Sequence, residues 1–523
     1  MQIDNKSGAL TSGTNISYWL DSVKPIAFST LNRDVETDVL IVGGGMAGLS
    51  VAYSLLREGK RVVLVEDGLI GSGETGRTTA HITCALDDRY YDIESVFGEK
   101  GARLAAESHR HAIDWIEETI KRENGHCHFK RVDGYLFLHP SDKEENLKKE
   151  YECTKRANLE TEWVQEVHGL TGYRGAAIKF PGQAQFHAMM YMEMLANAIA
   201  RMRGEIYTKT RAEKINKHGA TCNGRQVKAK HIVVATNSPV NDLVTMHTKQ
   251  HPYRTYVIGL KVRKGQLPHS LWWDTGDMNS KWLNYPYHYV RVEQYDVEND
   301  LLIAGGEDHK TGQADEEGIP EEDRYERLEQ WTRKHFPQAG DVVYHWSGQV
   351  MEPVDHMGFI GKNPGDDNIY IVTGDSGNGM THTTIGGILI TDLIMGRENP
   401  WTDLYSPKRI PLKEPRIFLS EALNMAKQYG DWFKPGDIQR AEQLSNGEGA
   451  ILGSGLKKLA VYRDEHSQLH TFSAVCPHLH CIVQWNADEK TFDCPCHGSR
   501  FTCLGEVING PAVSGLSPVK RGT

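Results

Sequence analysis

The sequence contains no apolar run long enough to cross a bilayer. IGGILITDLIMG (385–396), the longest toward the C-terminal part, falls well short of the roughly 20 residues that a spanning helix needs. The start, MQIDNKSGALTSGTNISYWL, lacks the basic n-region and apolar h-region of a secretory signal, so a cytoplasmic location is expected. Positive charge is not in excess: 59 Lys and Arg stand against 69 Asp and Glu, a formal net charge of −10. That balance argues against nucleic acid and anionic membrane surfaces as partners. Long Gly/Ser tracts, repeats and low-complexity segments are missing too, so the domains are expected to be docked, not loosely tethered. What is present, 39% hydrophobic and 24% charged residues over 523 positions, describes a soluble globular protein of two or three domains.

Cysteine is scarce, at nine. Cys84, Cys127, Cys153 and Cys222 are scattered without pairing spacing and read as reduced, structural residues. The others gather near the C-terminus, where Cys476-Pro-His478 precedes Cys494-Pro-Cys496-His497, with Cys503 just beyond. Two thiolates and two imidazoles suit a [2Fe–2S] centre in which Cys476 and Cys494 hold one iron and His478 and His497 the other. Neutral imidazoles make such a cluster easier to reduce than four thiolates do, with a potential of about −150 to +300 mV. Tetrahedral zinc is the competing reading of these four ligands, although zinc pairs usually come as C-x₂₋₄-C and H-x₃₋₅-H, whereas here each run supplies one Cys and one His. Cys481 and Cys496, one per run, with Gly498-Ser499 and Gly510-Pro511-Ala512, make about residues 441–520 resemble the Rieske proteins of the cytochrome bc type. That resemblance implies a Cys481–Cys496 disulfide between the two cluster loops. Two positions depart from it: His480 where the family often has Gly, and Phe501 where high-potential members carry a Tyr that donates to a ligand sulfur. A potential below the high-potential members is therefore expected.

Toward the other end, DVLIVGGGMAG (38–48) is an apolar run followed by Gly43-x-Gly45-x-x-Gly48 and a helical segment to about Glu58. A second strand-like run, RVVLVE, ends at Glu66, about where a ribose-binding carboxylate belongs. Such glycines let a pyrophosphate approach a helix N-terminus. Further on come GSGETGRTTAH (71–81), with Arg77, Thr79 and His81, then HIVVATNSP (231–239), with Ala235, and last NIYIVTGDSGNGMTHTTIGGILITDLIMG, with Gly374, Gly379 and Met380. In this order the motifs closely resemble the D-amino-acid oxidase-like FAD family (glycine and sarcosine oxidases) over about residues 36–400. That resemblance implies FAD held by Gly43, Gly45, Gly48, Glu66, Arg77, Thr79, Ala235, Gly374, Gly379 and Met380. No second G-x-G-x-x-G follows, so a separate NAD(P)H domain is not expected.

The expected fold is α/β, a Rossmann-type FAD-binding domain with an antiparallel substrate-domain sheet, plus a C-terminal all-β Rieske domain. Residues 1–35 read as an N-terminal extension and 36–400 as the oxidoreductase domain. Its FAD-binding pieces are about 36–95, 180–240 and 346–400, and its substrate-domain pieces about 100–175 and 245–345. The Pro-containing stretch 401–440, with one helical run (FLSEALNMAKQYGDWF), reads as a connector, and 441–523 as the Rieske domain.

The FAD-family resemblance implies hydride removal from a carbon next to nitrogen in a small amine or amino acid. His81 and His382 are candidates to accept a proton or orient substrate. In WLNYPYHYVR (282–291), Tyr285, Tyr287 and His288 could shape a pocket and Arg291 could pair a substrate carboxylate. A one-electron carrier on the same chain suggests that electrons pass from flavin to cluster, and from an exposed His478/His497 edge to an external one-electron acceptor. Reverse flow, from a ferredoxin-like protein through the cluster, and a redox-sensing or purely structural cluster are the alternatives.

Overall fold

The computed structural model describes residues 13–241, 246–282, 285–314, 318–410, 423–425, 427–453 and 457–519. Part of the helical run expected in the connector, 418–422 and 426, lies outside them, as does 411–417. The second half of Val35–Val42 and all of Val62–Val65 are buried apolar runs, the pattern of parallel strands covered on both faces. They join an eight-stranded sheet in the order 359–362, 369–373, 225–234, 35–42, 62–65, 205–207, parallel except at the 359–362 edge and an attached hairpin, 212–222. The helices Met46–Arg57 and Gly379–Met395 pack against each other on this sheet. A Cβ at Gly387 would come within 2.9 Å of Ser50, so glycine sets how closely they approach.

A nine-stranded sheet, antiparallel except where Ser270–Asp274 runs beside Lys130–Phe137, faces this nucleotide-binding half. Its core holds Trp272, Tyr256, Leu302 and Phe336, and its longest strand is Gln250–Arg263. Several boundaries differ from expectation because backbone pairing with distant strands decides sheet membership. Ala177–Gln185 and Val342–Pro353 belong to this sheet, not to the FAD-binding half. The segment 13–31 is packed on the FAD-binding half: the Ser17 hydroxyl donates to Gly76 O and Trp19 Nε1 to Thr78 O, 2.5 Å away. Residues 401–405 are likewise part of that core, through Trp401, Leu404 and Tyr405.

The C-terminal unit has a three-stranded sheet (448–473) and a four-stranded one (484–509). It is docked. Glu489, fully buried, accepts from Arg77 Nη1 at 2.6 Å, from the Ser347 hydroxyl at 2.6 Å and from Asn15 N at 3.0 Å. Tyr325 OH and Asn15 Nδ2 both donate to Asp488, each at 2.9 Å. Gln349 and Gln313 side chains donate to the carbonyls of Gly498 and Pro495, and Asn509 donates to Glu74. Among the described residues no helix is long and apolar enough to cross a membrane.

Candidate active site and cluster site

One continuous cavity lies between the two large sheets and the C-terminal unit. At its nucleotide end are Gly43, Gly45, Glu66, Thr210, Arg211 and Ala235. Gly43 has φ +112°, and a Cβ there would lie 2.3 Å from Ala235 O; a Cβ at Gly48 would lie 1.9 Å from Gly43 O. The turn exists only with glycine at both positions. Gly48 therefore acts behind the cavity wall, in the packing of helix on turn. The N-terminus of Met46–Arg57 has Gly45 as its cap residue, with no side chain of its own; the Thr75 hydroxyl accepts from Met46 N at 3.0 Å, and the helix end faces the cavity as an anion site would. Glu66 ends its strand beside this turn and accepts from the N–H groups of Gly44 (2.6 Å) and Gly68 (2.7 Å). Burial and Asp67 push its pKa up, against those two donors.

The middle of the cavity is formed by Thr78, Thr79, Gly348, Gln349 and the turn Thr373–Met380, including Gly374 and Gly379. Here a second helix, Gly379–Met395, presents an end that no side chain caps. The profile of the family of FAD dependent oxidoreductases matches residues 38–393. The chain belongs to that family.

A Rieske [2Fe–2S] domain profile matches residues 434–520. The chain is 32% identical to the putative Rieske 2Fe–2S iron–sulfur protein YhfW of Bacillus subtilis, over 96% of this chain and 97% of that protein. It is 29% identical to the gamma-glutamylputrescine oxidoreductase of Escherichia coli, over 74% of this chain and 90% of that one. Glycine oxidase from Geobacillus kaustophilus shares the fold, with TM-score 0.59 and 18% identity over 72% of this chain and 99% of that one. This FAD-dependent oxidoreductase therefore carries FAD and a Rieske [2Fe–2S] cluster. The helix end at Gly45, the cradle of glycines and the run of the cavity from sheet to sheet fit a dinucleotide, whose pyrophosphate Gly43 and Gly45 would hold.

The other expected site residues are placed as follows. His81 reaches the cavity with both ring nitrogens engaged, Nδ1 with the Thr79 hydroxyl (3.0 Å) and Nε2 with Val290 O (3.2 Å). Burial and Arg291 lower its pKa to about 3, so at neutral pH it is a neutral ring held in one tautomer. His382 also borders the cavity; burial lowers it to about 3, and its Nε2 has no hydrogen-bond partner. Arg77 touches the cavity, but its guanidinium is directed into the domain interface, to Glu489, Ser347 O and Asn15 O. Arg291 is a correction. It is fully buried, ion-paired with Glu293, and donates to the carbonyls of Thr79, Ala80 and Phe186, and it does not line the cavity where a substrate carboxylate would lie. His288 is corrected likewise: it stacks on Trp331 and bonds Asp274 (2.8 Å) and Glu307 (3.4 Å). Burial pulls its pKa down, yet the two acids push it up to about 9. Tyr285 is 43% exposed, outside the cavity, whereas Tyr287 lines it.

The sequence reading missed Asp87, Thr255, Trp273, Tyr289 and Asp308 on the cavity wall, and Val507–Gly510, Ala512 and Val513 from the C-terminal unit. The aspartates have no motif of their own. Asp308 comes from the strand Asn299–Lys310 and Asp87 from the loop after His81–Ile82, and only the folded chain brings them to one cavity.

In the C-terminal unit the two cluster loops are built alike. Cys476 N donates to Cys481 O, and Cys494 N to Ser499 O, each at 2.8 Å; His480 N and Gly498 N donate back to the respective Cys carbonyls at 3.1 Å. His480 (φ +62°) and Gly498 (φ +76°) are therefore equivalent left-handed positions. That explains the glycine common at 480 in the family, and an exposed His occupies it here. Cys476 and Cys494 contact each other, and each sulfur accepts two backbone N–H bonds, from His478 and Leu479 and from Cys496 and His497. The His478 and His497 rings are 5.0 Å apart, and both His497 nitrogens are buried without partners. Two facing thiols and two facing imidazoles fit the cluster. The sulfurs of Cys481, Cys494 and Cys496 also lie within 4.8 Å of one another, but Cys481 and Cys496 are joined in a disulfide, so that trio is not a ligand set.

One expectation is reversed. His478 and His497 are 7% and 2% exposed, because the oxidoreductase half covers them. His247 lies 4.9 Å from the His478 ring and 6.0 Å from that of His497. Phe501 is fully buried across from Phe492. Phe501→Tyr should raise the midpoint potential: one added hydrogen bond of about 1 kcal/mol corresponds to about 40 mV for a single electron. Protein-film voltammetry measures it, and an unchanged midpoint would show that the hydroxyl does not reach a cluster sulfur.

Proposed function

We propose that this protein is an FAD-dependent dehydrogenase that oxidises a C–N bond of a small amine or amino acid and discharges the electrons through its own Rieske cluster to an external one-electron acceptor. The observation that carries this reading is a shared wall. The Ser499 hydroxyl hydrogen-bonds the Cys476 sulfur and accepts from Ala512 N at 3.0 Å, and Ala512 itself lines the flavin cavity. On the opposite side, Pro252 abuts Gly498, while its neighbour Gln250 donates to the Thr373 hydroxyl at the cavity edge. Residues between the two cofactor sites are thus one layer thick along these paths.

When bound, FAD supplies the two-electron acceptor for a substrate hydride, leaving an imine that water hydrolyses, and the cluster supplies a one-electron outlet. The protein's part is positioning. Burial and Arg291 keep His81 neutral, Thr79 and Val290 O fix its ring, and the buried interface holds the two sites together. With the His edge covered, an external acceptor meets the cluster from another face; Tyr429 OH and Trp432 Nε1 of the connector bond the carbonyls of Leu479 and His480 there.

The test is anaerobic mixing with amines and amino acids, following flavin bleaching and the Rieske EPR signal together. Cys494→Ser should keep substrate-driven bleaching, lose the EPR signal and lose turnover with a protein electron acceptor. Undiminished turnover with that acceptor would sink the proposed route.

A further inference from the structure

Beyond the flavin position the cavity ends against the nine-stranded sheet in a chamber of different character. Its walls are Asp87, Thr255, Trp273, Tyr287, Tyr289 and Asp308. The Tyr287 and Tyr289 ring centroids are 5.3 Å apart, and the His81 ring lies 5.9 Å from those of both Tyr289 and Trp273. Tyr287 hydrogen-bonds the Asp87 carboxylate. That carboxylate fits only because residue 377 is glycine: a Cβ there would be 1.6 Å from Asp87 Oδ2. Thr255 hydrogen-bonds Asp308, and its hydroxyl is 2.5 Å from Tyr289 OH. The other Asp308 oxygen, Oδ1, is buried and receives no hydrogen bond.

Among the described residues no cation answers these two acids from within the cavity. Of the two arginines that touch it, Arg77 is held by Glu489 and Arg211 stands at the nucleotide end, between Thr210 and Ala212. Arg89, His288 and Arg324 act on the acids from behind the wall and do not line it, and Arg291, paired with Glu293, does not line it either. Burial accordingly pushes both Asp87 and Asp308 up to about 7. A buried carboxylate with a vacant acceptor is costly, and an ammonium ion among aromatic faces removes that cost. A carboxylate in the same place would be repelled.

We infer that this chamber binds an alkylammonium group through Asp87 and Asp308, with Tyr287, Tyr289 and Trp273 around its carbon chain, so that the substrate is an aliphatic amine or diamine without a carboxylate. This narrows the C–N oxidation proposed above and rests on it for the chemistry, but not for the binding. Binding of butylamine and 1,4-diaminobutane to the anaerobic holoenzyme, by calorimetry and by perturbation of flavin absorbance, is compared with that of glycine and L-proline, with bleaching recorded in the same samples. The amines should bind and the amino acids should not. Asp308→Asn and Asp87→Asn should each raise the butylamine Kd by about tenfold or more, with FAD content and the Rieske EPR signal unchanged. Binding of amines that responds to Asp308→Asn without bleaching would support the chamber and overturn the oxidation. Bleaching by amino acids alone, or a Kd indifferent to both variants, would overturn the chamber and leave the oxidation standing. No binding and no bleaching by any of the four would overturn both.

Discussion

Glu489→Ala is expected to release the Rieske domain from the oxidoreductase body. The carboxylate is fully buried, 2.6 Å from Arg77 and 4.0 Å from Arg254, and Arg500 acts on it from its own domain. A buried ion pair adds little net stability when formed, because both partners lose water. Removing one partner leaves the others charged and dry, at a cost of about 3–5 kcal/mol. Here three guanidinium groups would be left with Asp493 and Glu74 as the nearest acids. The released domain should show as a separate unfolding transition and as faster proteolysis in the 401–440 segment, with flavin-to-cluster transfer slowed in rapid mixing. The pH dependence has a definite sign. Burial alone would raise the Glu489 pKa, but Arg77, Arg254 and Arg500 hold it at about 2, below the unfolded value of about 4.3. Its contribution is complete above the unfolded pKa and is lost as pH falls toward 2. Docking should weaken through that acid window in the parent protein and show no such dependence from this group in Glu489→Gln. A single transition persisting in Glu489→Ala would show that the hydrogen bonds of Asp488, Gln349 and Gln313 suffice.

Gly498→Ala should disturb both docking and the cluster. At φ +76° a side chain strains the backbone, by about 1–2 kcal/mol for an ordinary L-residue. The added Cβ would also lie 2.5 Å from Pro252 Cβ and 3.0 Å from Gln349 Nε2, an overpacking worth about 1–3 kcal/mol more. The strain falls within a cluster loop, since Gly498 N–H bonds Cys494 O. Iron content and EPR amplitude should drop, and the thermal midpoint should fall with them. The equivalent position in the other loop carries His480 at nearly the same φ, and its side chain is tolerated because it meets solvent and not Pro252. Full cluster occupancy in Gly498→Ala would mean that the interface opens to admit the methyl group.

Chemistry carried by local spacing was legible in the chain alone. Cys476, His478, Cys494 and His497 stand in two short runs, and each run folds by its own hydrogen bonds into the same turn. Gly43-x-Gly45-x-x-Gly48 is local in part, because one steric conflict it avoids lies between its own first and last glycines, while the other lies with the distant Ala235. Both cofactors and the α/β-plus-all-β architecture follow from such motifs. Long-range packing decided the rest. Arg291, on the strand Tyr289–Gln294, and His288, just before it, fall in a promising aromatic run, yet their direction was fixed by Glu293, Asp274 and Glu307, none of which a motif announces. Asp87 and Asp308 come from opposite ends of the oxidoreductase half and meet only where the sheet closes on the glycine turn at 377. The covered His478/His497 edge depends on a whole domain docking through Glu489. A sequence specifies directly what its neighbours along the chain can satisfy; a buried charge or a covered cofactor edge is satisfied by residues hundreds of positions away, and that pairing exists only once the chain has folded.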